Sequence, residues 1–426
     1  MTEDVRRLKL EDLAAPDALG RLEGKVVFVP YGAPGDVILV ELVERGKAFD
    51  RGRIVELLEP GPQRIEPRCP RYGDCGGCSW QHLDYAAQLH YKGRQLADGA
   101  RKIAGLELEP PSIDANEPFA YRDRARLQVV WRRGRPRLGY YARGSNHLVE
   151  FARCPLLNGV LNDGLESLRR LLDGHLGRAA AWHQLEAVEL ERALEGWALT
   201  LRFARPRPPK LPWDEIAAAL PGLVGLRAAG RKADRRVAGA ERFPTVEAGL
   251  VKSAGTFGQP SDAGARWLRR RLLATKDTVA LGTVWDLFAG YGLLGSVLLA
   301  EAGVLFAVEV APAAAEDAAA NLASGDTEVI IGAGRVEAAL DQLPAELARP
   351  DLVILDPPRS GLGKGILRSL LAHEPGALFF AACNPARFWR DARLLLDAGY
   401  QLAELAVFDM APQTEHLELA SLWLRG

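Results

Sequence analysis

Three features predict an α/β chain with a doubly wound C-terminal half, a small N-terminal β-barrel and a β-rich unit between them. The first is the alternation of apolar strands and helices from about residue 251: TVWDLF, LLGSVLLAEAG, VLFAVEV, PAAAEDAAANLA, EVIIG, DLVILD, GALFFAAC and LAELAVFDM, with HLELASLWL last. Such alternation builds a mostly parallel sheet with helices on its faces. The last strand returns after a short loop, so it is expected to run antiparallel. The second feature is a set of short β-branched stretches near the start, GKVVFVPY, DVILVELVER and FDRGRIVELLEP, split by Gly, Pro and Asp turns. They fit a compact five-stranded OB-like barrel over residues 1–60. The third is a run of further strands within residues 61–250, seen in RARLQVVWRRGRPRLGYYARGSNHLVEFARC with turns at RGRP and RGSN, in WALTLRFARP and in GLVGLRAAGRKADRRVAGAERF. Ahead of them, DYAAQLHYKGRQLADGARKIAG has helical spacing. Residues 251–426 form the third expected domain.

Composition bounds these readings. A chain of 426 residues suits two to four domains, and 48% hydrophobic with 26% charged residues suits an ordinary globular protein. No apolar run is long enough for a membrane span. The opening MTEDVRRLKLEDL carries acids and no apolar core, so no secretion signal is read and a cytoplasmic monomer is expected. The formal net charge of −1 gives no global attraction for a nucleic acid, so RNA would be held by local basic patches. The five cysteines are odd in number and lack an export signal, which favours metal binding or catalysis over disulfides.

In the C-terminal half, VWDLFAGYGLLG places Asp286 at a strand end, with Gly290 and Gly292 before an expected helix. Glycines there let the backbone approach a ligand closely, and a helix start offers free N–H groups. Glu309 ends the next strand, where an acid can bond a ribose hydroxyl. Gly290, Gly292 and Gly295 have the spacing G-x-G-x-x-G, which suits NAD equally, and Asp356-Pro357-Pro358-Arg359 follows DLVIL. The second feature favours S-adenosylmethionine over NAD. Asp286, Glu309, Asp356 and Cys383 should all lie at carboxyl ends of strands, the edge where open α/β sheets bind ligands.

The cysteines divide into two sets. CPRYGDCGGC spaces Cys69, Cys75 and Cys78 as C-x5-C-x2-C, and Cys154 offers a fourth thiolate. Four thiolates suit zinc or an iron–sulfur cluster, and spacing alone does not choose between them. Cys383 stands apart in FFAACNPARFWRD, where Asn384-Pro385 force a turn that can expose its thiol after an apolar strand. A thiolate is a strong nucleophile. Added to C6 of uracil, it makes C5 nucleophilic enough to accept a methyl group. A base must then remove the C5 proton, and Glu418 in DMAPQTEHLELA is the candidate, with His416 nearby. Phe257 and Gln259 of GTFGQP are candidates to stack on the base and to bond a ligand. For RNA phosphates the candidates are Arg132 and Arg133 within a set that includes Arg122, Arg124, Arg126, Arg135, Arg137 and Arg143, interleaved with Tyr121, Trp131, Tyr140 and Tyr141. A second basic set is Arg227, Arg231, Lys232, Arg235 and Arg236.

Taken together these blocks resemble the RNA (uracil-5-)-methyltransferase family, in particular its 23S ribosomal RNA branch with a TRAM domain and an iron–sulfur cluster. GKVVFVPYGAPGDVILVEL is similar to the TRAM barrel, and CPRYGDCGGCSWQHLDYAAQLHYK to the cluster segment with its following helix. DLFAGYGLLG, ILDPPRSGL, CNPARFWRD and DMAPQTEHLE resemble the blocks of a Rossmann-like methyltransferase domain, in order. The resemblance implies a [4Fe–4S] cluster on Cys69, Cys75, Cys78 and Cys154. It also implies Cys383 as nucleophile, Glu418 as base, and Gln259, Phe288, Gly290, Glu309 and Asp356 around S-adenosylmethionine. Leu293 stands where the family has Asn, and Phe257-Gly258-Gln259-Pro260-Ser261 replaces Phe-x-Gln-x-Asn. The alternatives are the same reaction on the T-loop uridine of tRNA, and a non-catalytic RNA-binding protein with weakened cofactor affinity.

Overall fold

The computed structural model describes residues 5–174, 180–246, 249–323 and 327–426. Five strands, β1 (Val5–Ala14), β2 (Asp17–Leu22), β3 (Lys25–Val29), β4 (Val37–Arg45) and β5 (Phe49–Glu59), close into a barrel of order β1-β2-β3-β5-β4. Two of these strands, β1 and β2, are not evident in the sequence. Most of their charged residues face water, Asp17 is buried and pairs with Arg51 and Arg143, and Leu8, Leu10, Leu13 and Ala18 supply a single buried face.

Helix α1 (Tyr85–Gly99) follows, capped by the Asp84 carboxylate, which accepts from the Ala87 N–H. This helix joins two cores. Ala87 and Tyr91, with Trp80 and Leu83 just before it, pack into the barrel core. Leu96 and the following Ala100 and Ala104 pack under the C-terminal sheet beside Trp389. The Trp389 indole N–H donates to the Leu96 carbonyl at 3.1 Å, and a Cβ on Gly99 would meet that ring at 2.9 Å. The expected central unit therefore differs from the observed packing: the stretch after the cysteines serves the barrel and the C-terminal sheet.

The central sheet has seven strands in the order β12-β11-β10-β9-β6-β7-β8. They are β6 (Arg124–Arg132), β7 (Arg135–Tyr141), β8 (Leu148–Glu150), β9 (Leu185–Arg192), β10 (Trp197–Phe203), β11 (Leu223–Ala229) and β12 (Asp234–Gly239). Helix α2 (Gly159–Asp173), which the β-rich reading overlooks, covers this sheet with Leu161, Leu165, Leu168 and Leu172. Their 3.6-residue spacing is the signal for it. The short helix α3 (Trp213–Ala218) and the hairpin β13 (Phe243–Pro244) and β14 (Val251–Lys252) lead onward.

Helix α4 (Asp262–Ala274) opens the C-terminal layer. Its strands are β15 (Thr283–Leu287), β16 (Val304–Glu309), β17 (Glu328–Ala333), β18 (Leu352–Leu355), β19 (Ala377–Ala382), β20 (Tyr400–Phe408) and β21 (Glu418–Arg425), in the order β17-β16-β15-β18-β19-β21-β20. Helices α5 (Pro312–Leu322), α6 (Val336–Asp341), α7 (Gly363–Leu371) and α8 (Pro385–Asp397) cross between them. The last strand is antiparallel, as expected, and inserts between β19 and β20. The helix expected over LLGSVLLAEAG is only a 3-10 turn, Gly295–Leu298. Its groups are bonded elsewhere: the Gly295 N–H donates to Asp286 at 2.8 Å, and Arg269 donates to the Leu293 carbonyl at 2.5 Å. No helix among the described residues is long and apolar enough to cross a membrane.

One buried ion pair ties α1 to the loop after β20. Lys92 donates to Asp409 at 2.6 Å, and both side chains are fully buried. Burial pulls the lysine pKa down and pushes the aspartate pKa up, and each partner opposes the shift in the other. Removing one member strands the other charge. Lys92→Met is expected to lower the urea unfolding midpoint by the equivalent of about 3–5 kcal/mol, and Lys92→Met with Asp409→Leu to recover much of it.

Candidate active site

The parallel strands β15, β16, β18 and β19 all end at one sheet edge. Asp286 is next to last in its strand and Glu309 is last, while Asp356 and Cys383 directly follow theirs. Because β21 runs the other way, its first residues reach the same edge: Leu419 pairs with Ala382, which places Glu418 beside the turn that carries Cys383. Topology thus gathers residues spread over more than a hundred positions.

Each acid has a distinct setting. Asp286 is buried and holds the turn at Gly295, and burial pushes its carboxyl up to about 7 despite that N–H. Glu309 accepts from the Gly290 N–H at 2.9 Å and from the Ala311 N–H at 2.7 Å, so it shapes the glycine-rich turn. In that turn Phe288 holds a positive φ of 70°, a region that side chains other than glycine seldom occupy. Asp356 accepts from the Gln259 amide at 2.9 Å, and burial raises its carboxyl to about 6. That bond fastens the segment before α4 to the strand ends. Glu418 is 2% exposed, and one of its oxygens has no hydrogen-bond partner. Burial and then the nearby Asp356 charge raise its pKa well above the usual carboxylate range, with Arg359 opposing. The Cys383 thiol is pushed up to about 11, by burial first and then by Glu418 and Asp356, against Arg359.

The substitutions at the glycine-rich turn and before α4 have clear places. Leu293 joins the apolar core. Ser261 is buried, and its hydroxyl accepts from the Asn116 amide at 3.3 Å.

Other predicted residues lie elsewhere. Phe257 is 62% exposed, with the Arg124 guanidinium 5.4 Å from its ring centroid. Arg132 and Arg133 lie at the far end of β6 from Arg124. Nine strand residues put them roughly 25 Å away. With Arg135, Arg137 and Glu150 they line an open cleft of about 570 Å³. The expected mixture of arginine and aromatic residues does not form one surface. Tyr121 is buried, Tyr140 stacks on Phe151 and Trp131 leans on His183. Arg143 pairs with Asp17 of the barrel, and Arg124 and Arg126 face Glu189.

The four remaining thiols are neighbours. Cys69, Cys78 and Cys154 act on one another and on Cys75 electrostatically, and burial followed by these neighbours pushes Cys78 up to about 12 even with the Gln81 amide as donor. Gln81 links two of them, donating to the Cys78 sulfur at 3.2 Å and accepting from the Cys69 N–H at 3.1 Å. Asn162 fixes the Cys154 backbone from α2. Among the described residues, no three His, Cys, Asp or Glu side chains converge on a single metal-ion position. A set of four sulfurs in mutual electrostatic range still has the donor chemistry of a thiolate-bound centre.

The sequence profile described as tRNA (Uracil-5-)-methyltransferase matches residues 337–425, which span Asp356, Cys383 and Glu418. The 23S rRNA (uracil(1939)-C(5))-methyltransferase RlmD of Pectobacterium atrosepticum is 33% identical, over 95% of this chain and 90% of its own length. The enzyme of the same name from Chromohalobacter salexigens is 34% identical, over 94% and 85%. Among solved structures, the Pyrococcus abyssi tRNA (uracil-54, C5)-methyltransferase in complex with S-adenosyl-L-homocysteine superimposes with a TM-score of 0.76. It covers 98% of this chain and 99% of its own at 23% identity, so this likeness concerns the fold. The near full-length identity to curated relatives establishes that the chain belongs to the RNA (uracil-5-)-methyltransferase family.

Proposed function

We propose that this enzyme methylates C5 of a uridine in 23S rRNA through a covalent adduct of Cys383 with C6, and that Glu418 is the base that resolves the adduct. The observation that carries the reading is the buried Glu418 carboxylate, with an oxygen free of partners, beside a cysteine at the ligand-binding edge of the sheet. Gln259, Phe288, Gly290, Glu309 and Asp356 would hold S-adenosylmethionine. When bound, that cofactor supplies an electrophilic methyl group. The Cys383 thiol gives its proton to solvent, the thiolate adds to C6, and the C5–C6 electron pair moves onto C5 and the adjoining carbonyl, leaving C5 nucleophilic. After methyl transfer, Glu418 takes the C5 proton, the electron pair re-forms the C5–C6 double bond, and the C6–S bond breaks to release the thiolate. The raised Glu418 pKa fits a group that must accept a proton from carbon.

Phe257 would meet the flipped base or its neighbour, and Arg132 and Arg133 would hold phosphates away from the target. The N-terminal barrel would serve as a TRAM domain. Cys69, Cys75, Cys78 and Cys154 would bind a [4Fe–4S] cluster. The relatives named for 23S rRNA favour that substrate over tRNA, and the assay should include both.

Radiolabelled cofactor with unmodified 23S rRNA transcript should yield 5-methyluridine. Cys383→Ala should abolish it, and Glu418→Gln should trap RNA in a denaturant-stable complex. Labelling of the tRNA transcript alone would reassign the substrate, and undiminished turnover by Cys383→Ala would end the covalent mechanism.

The pH dependence follows from the raised thiol. With a resting value of about 11, the protonated form dominates near neutrality and the thiolate fraction grows about tenfold per pH unit. Adduct formation in a single turnover should therefore accelerate from about pH 7 to about pH 9, and Arg359→Gln should displace the curve to higher pH. A flat profile over that range would count against attack from the resting thiol.

Protein purified without oxygen should contain iron and acid-labile sulfide, and Cys154→Ser should lose most of both. Stoichiometric zinc without sulfide would overturn the cluster assignment.

A further inference from the structure

The loop between β20 and β21, residues 409–417, leads into Glu418, and apart from its bond to Phe408 of β20 its hydrogen-bonded anchors come from residues 79–121. Lys92 holds Asp409, and the Asp409 N–H donates to the Asp114 carbonyl at 2.9 Å. The Tyr121 hydroxyl donates to the Pro412 carbonyl at 3.1 Å, and the Ser79 hydroxyl to the Glu415 carboxylate at 2.7 Å. The centre of the arrangement is Gln413, 2% exposed, with a φ of 71°. All four of its polar atoms are engaged. Its N–H donates to the Gln88 side-chain oxygen at 2.9 Å, and its own side-chain oxygen accepts from the Gln88 amide at 3.0 Å. Its amide donates to the Pro118 carbonyl at 3.2 Å. Its carbonyl accepts from the Ser79 and Trp80 N–H groups at 3.1 and 3.0 Å, immediately after Cys78.

We propose that Gln88 and Gln413 are a positioning pair that fixes Glu418 for proton removal, and that through Ser79 and Trp80 they tie the base to the cysteine segment. The proposal rests on Glu418 being the base. Cys383 is held separately, by β19 and α8. A lesion in the pair should therefore displace the base and leave the nucleophile in place. Attack and methyl transfer would proceed, while removal of the C5 proton and expulsion of the thiolate would slow. The signature is a methylated protein–RNA adduct that persists, not a uniform loss of activity.

The test compares Gln88→Met, Gln413→Gly and Glu418→Gln with the native full-length enzyme. Glycine removes the Gln413 side chain and tolerates its backbone conformation. Each variant is incubated with labelled cofactor and RNA, and the denatured adduct, the released 5-methyluridine and the cofactor affinity are measured. The expected result for Gln88→Met and Gln413→Gly is a turnover lowered about tenfold to a hundredfold. Labelled adduct should accumulate as in Glu418→Gln, with cofactor affinity unchanged. Ser79→Ala should show a milder form that Ser79→Thr relieves. Should Gln88→Met not fold, Gln413→Gly carries the same readout. Turnover that falls without adduct, or does not fall, refutes the positioning pair. Normal turnover by Glu418→Gln refutes the base assignment and this proposal with it.

Discussion

The buried contact between Lys92 and Asp409 is the point at which α1, and with it the barrel, is tied to the C-terminal sheet. Two opposite charges withdrawn from water are tolerated only when geometry and further bonds compensate for lost hydration. That requirement fixes α1 against the loop after β20 with little freedom. From this fixed contact α1 reaches back to the barrel through Tyr91 and Ala87 and forward to Trp389 through Leu96. The cysteine segment, which precedes α1 by a few residues, is carried along with it. The loop that leads into β21 is held at the same time.

The sheet edge concentrates acids that burial disfavours. Asp286, Asp356 and Glu418 all have raised pKa values, and Arg359 is the cation that opposes this at Glu418 and Cys383. Acids buried together in this way are stabilised in their charged form by a positively charged ligand. A sulfonium is a cation of that kind. On the proposed reading, the same property that makes the site costly to fold favours its cofactor.

Much of this edge was legible in the sequence because the four parallel strands are continuous apolar runs, and a run that stops at an acid or a cysteine announces its own end. The antiparallel return of β21 was legible from the short loop that precedes it, and the structure brings Glu418 to the edge that carries Cys383. Other elements were hidden by physical causes. β1 carries most of its charges outward and β2 is short, so their apolar face is sparse in the sequence. The expected helix after Gly292 is a 3-10 turn, where Asp286 accepts from the Gly295 N–H and Arg269 donates to the Leu293 carbonyl, contacts that no local pattern announces. Tyr121 and Tyr140 looked like base-stacking residues because aromatic side chains beside arginines read alike in a core and on an RNA surface. Gln413 gave no signal at all: its meaning depends on Gln88, 325 positions earlier, and no local pattern marks such a pair.

Helix α1 also bears on how such a chain can be divided. The C-terminal half has the strand order of a self-sufficient catalytic unit, which invites treating it as a module that could be cut free near residue 251. Yet part of its core is lent by Leu96, Ala100 and Ala104, and the loop before its final strand is held from residues 79–121. Excised, it would expose the Trp389 face and release the approach to Glu418. Modularity in this protein is a property of the sheets, while the chain that connects them belongs to two units at once.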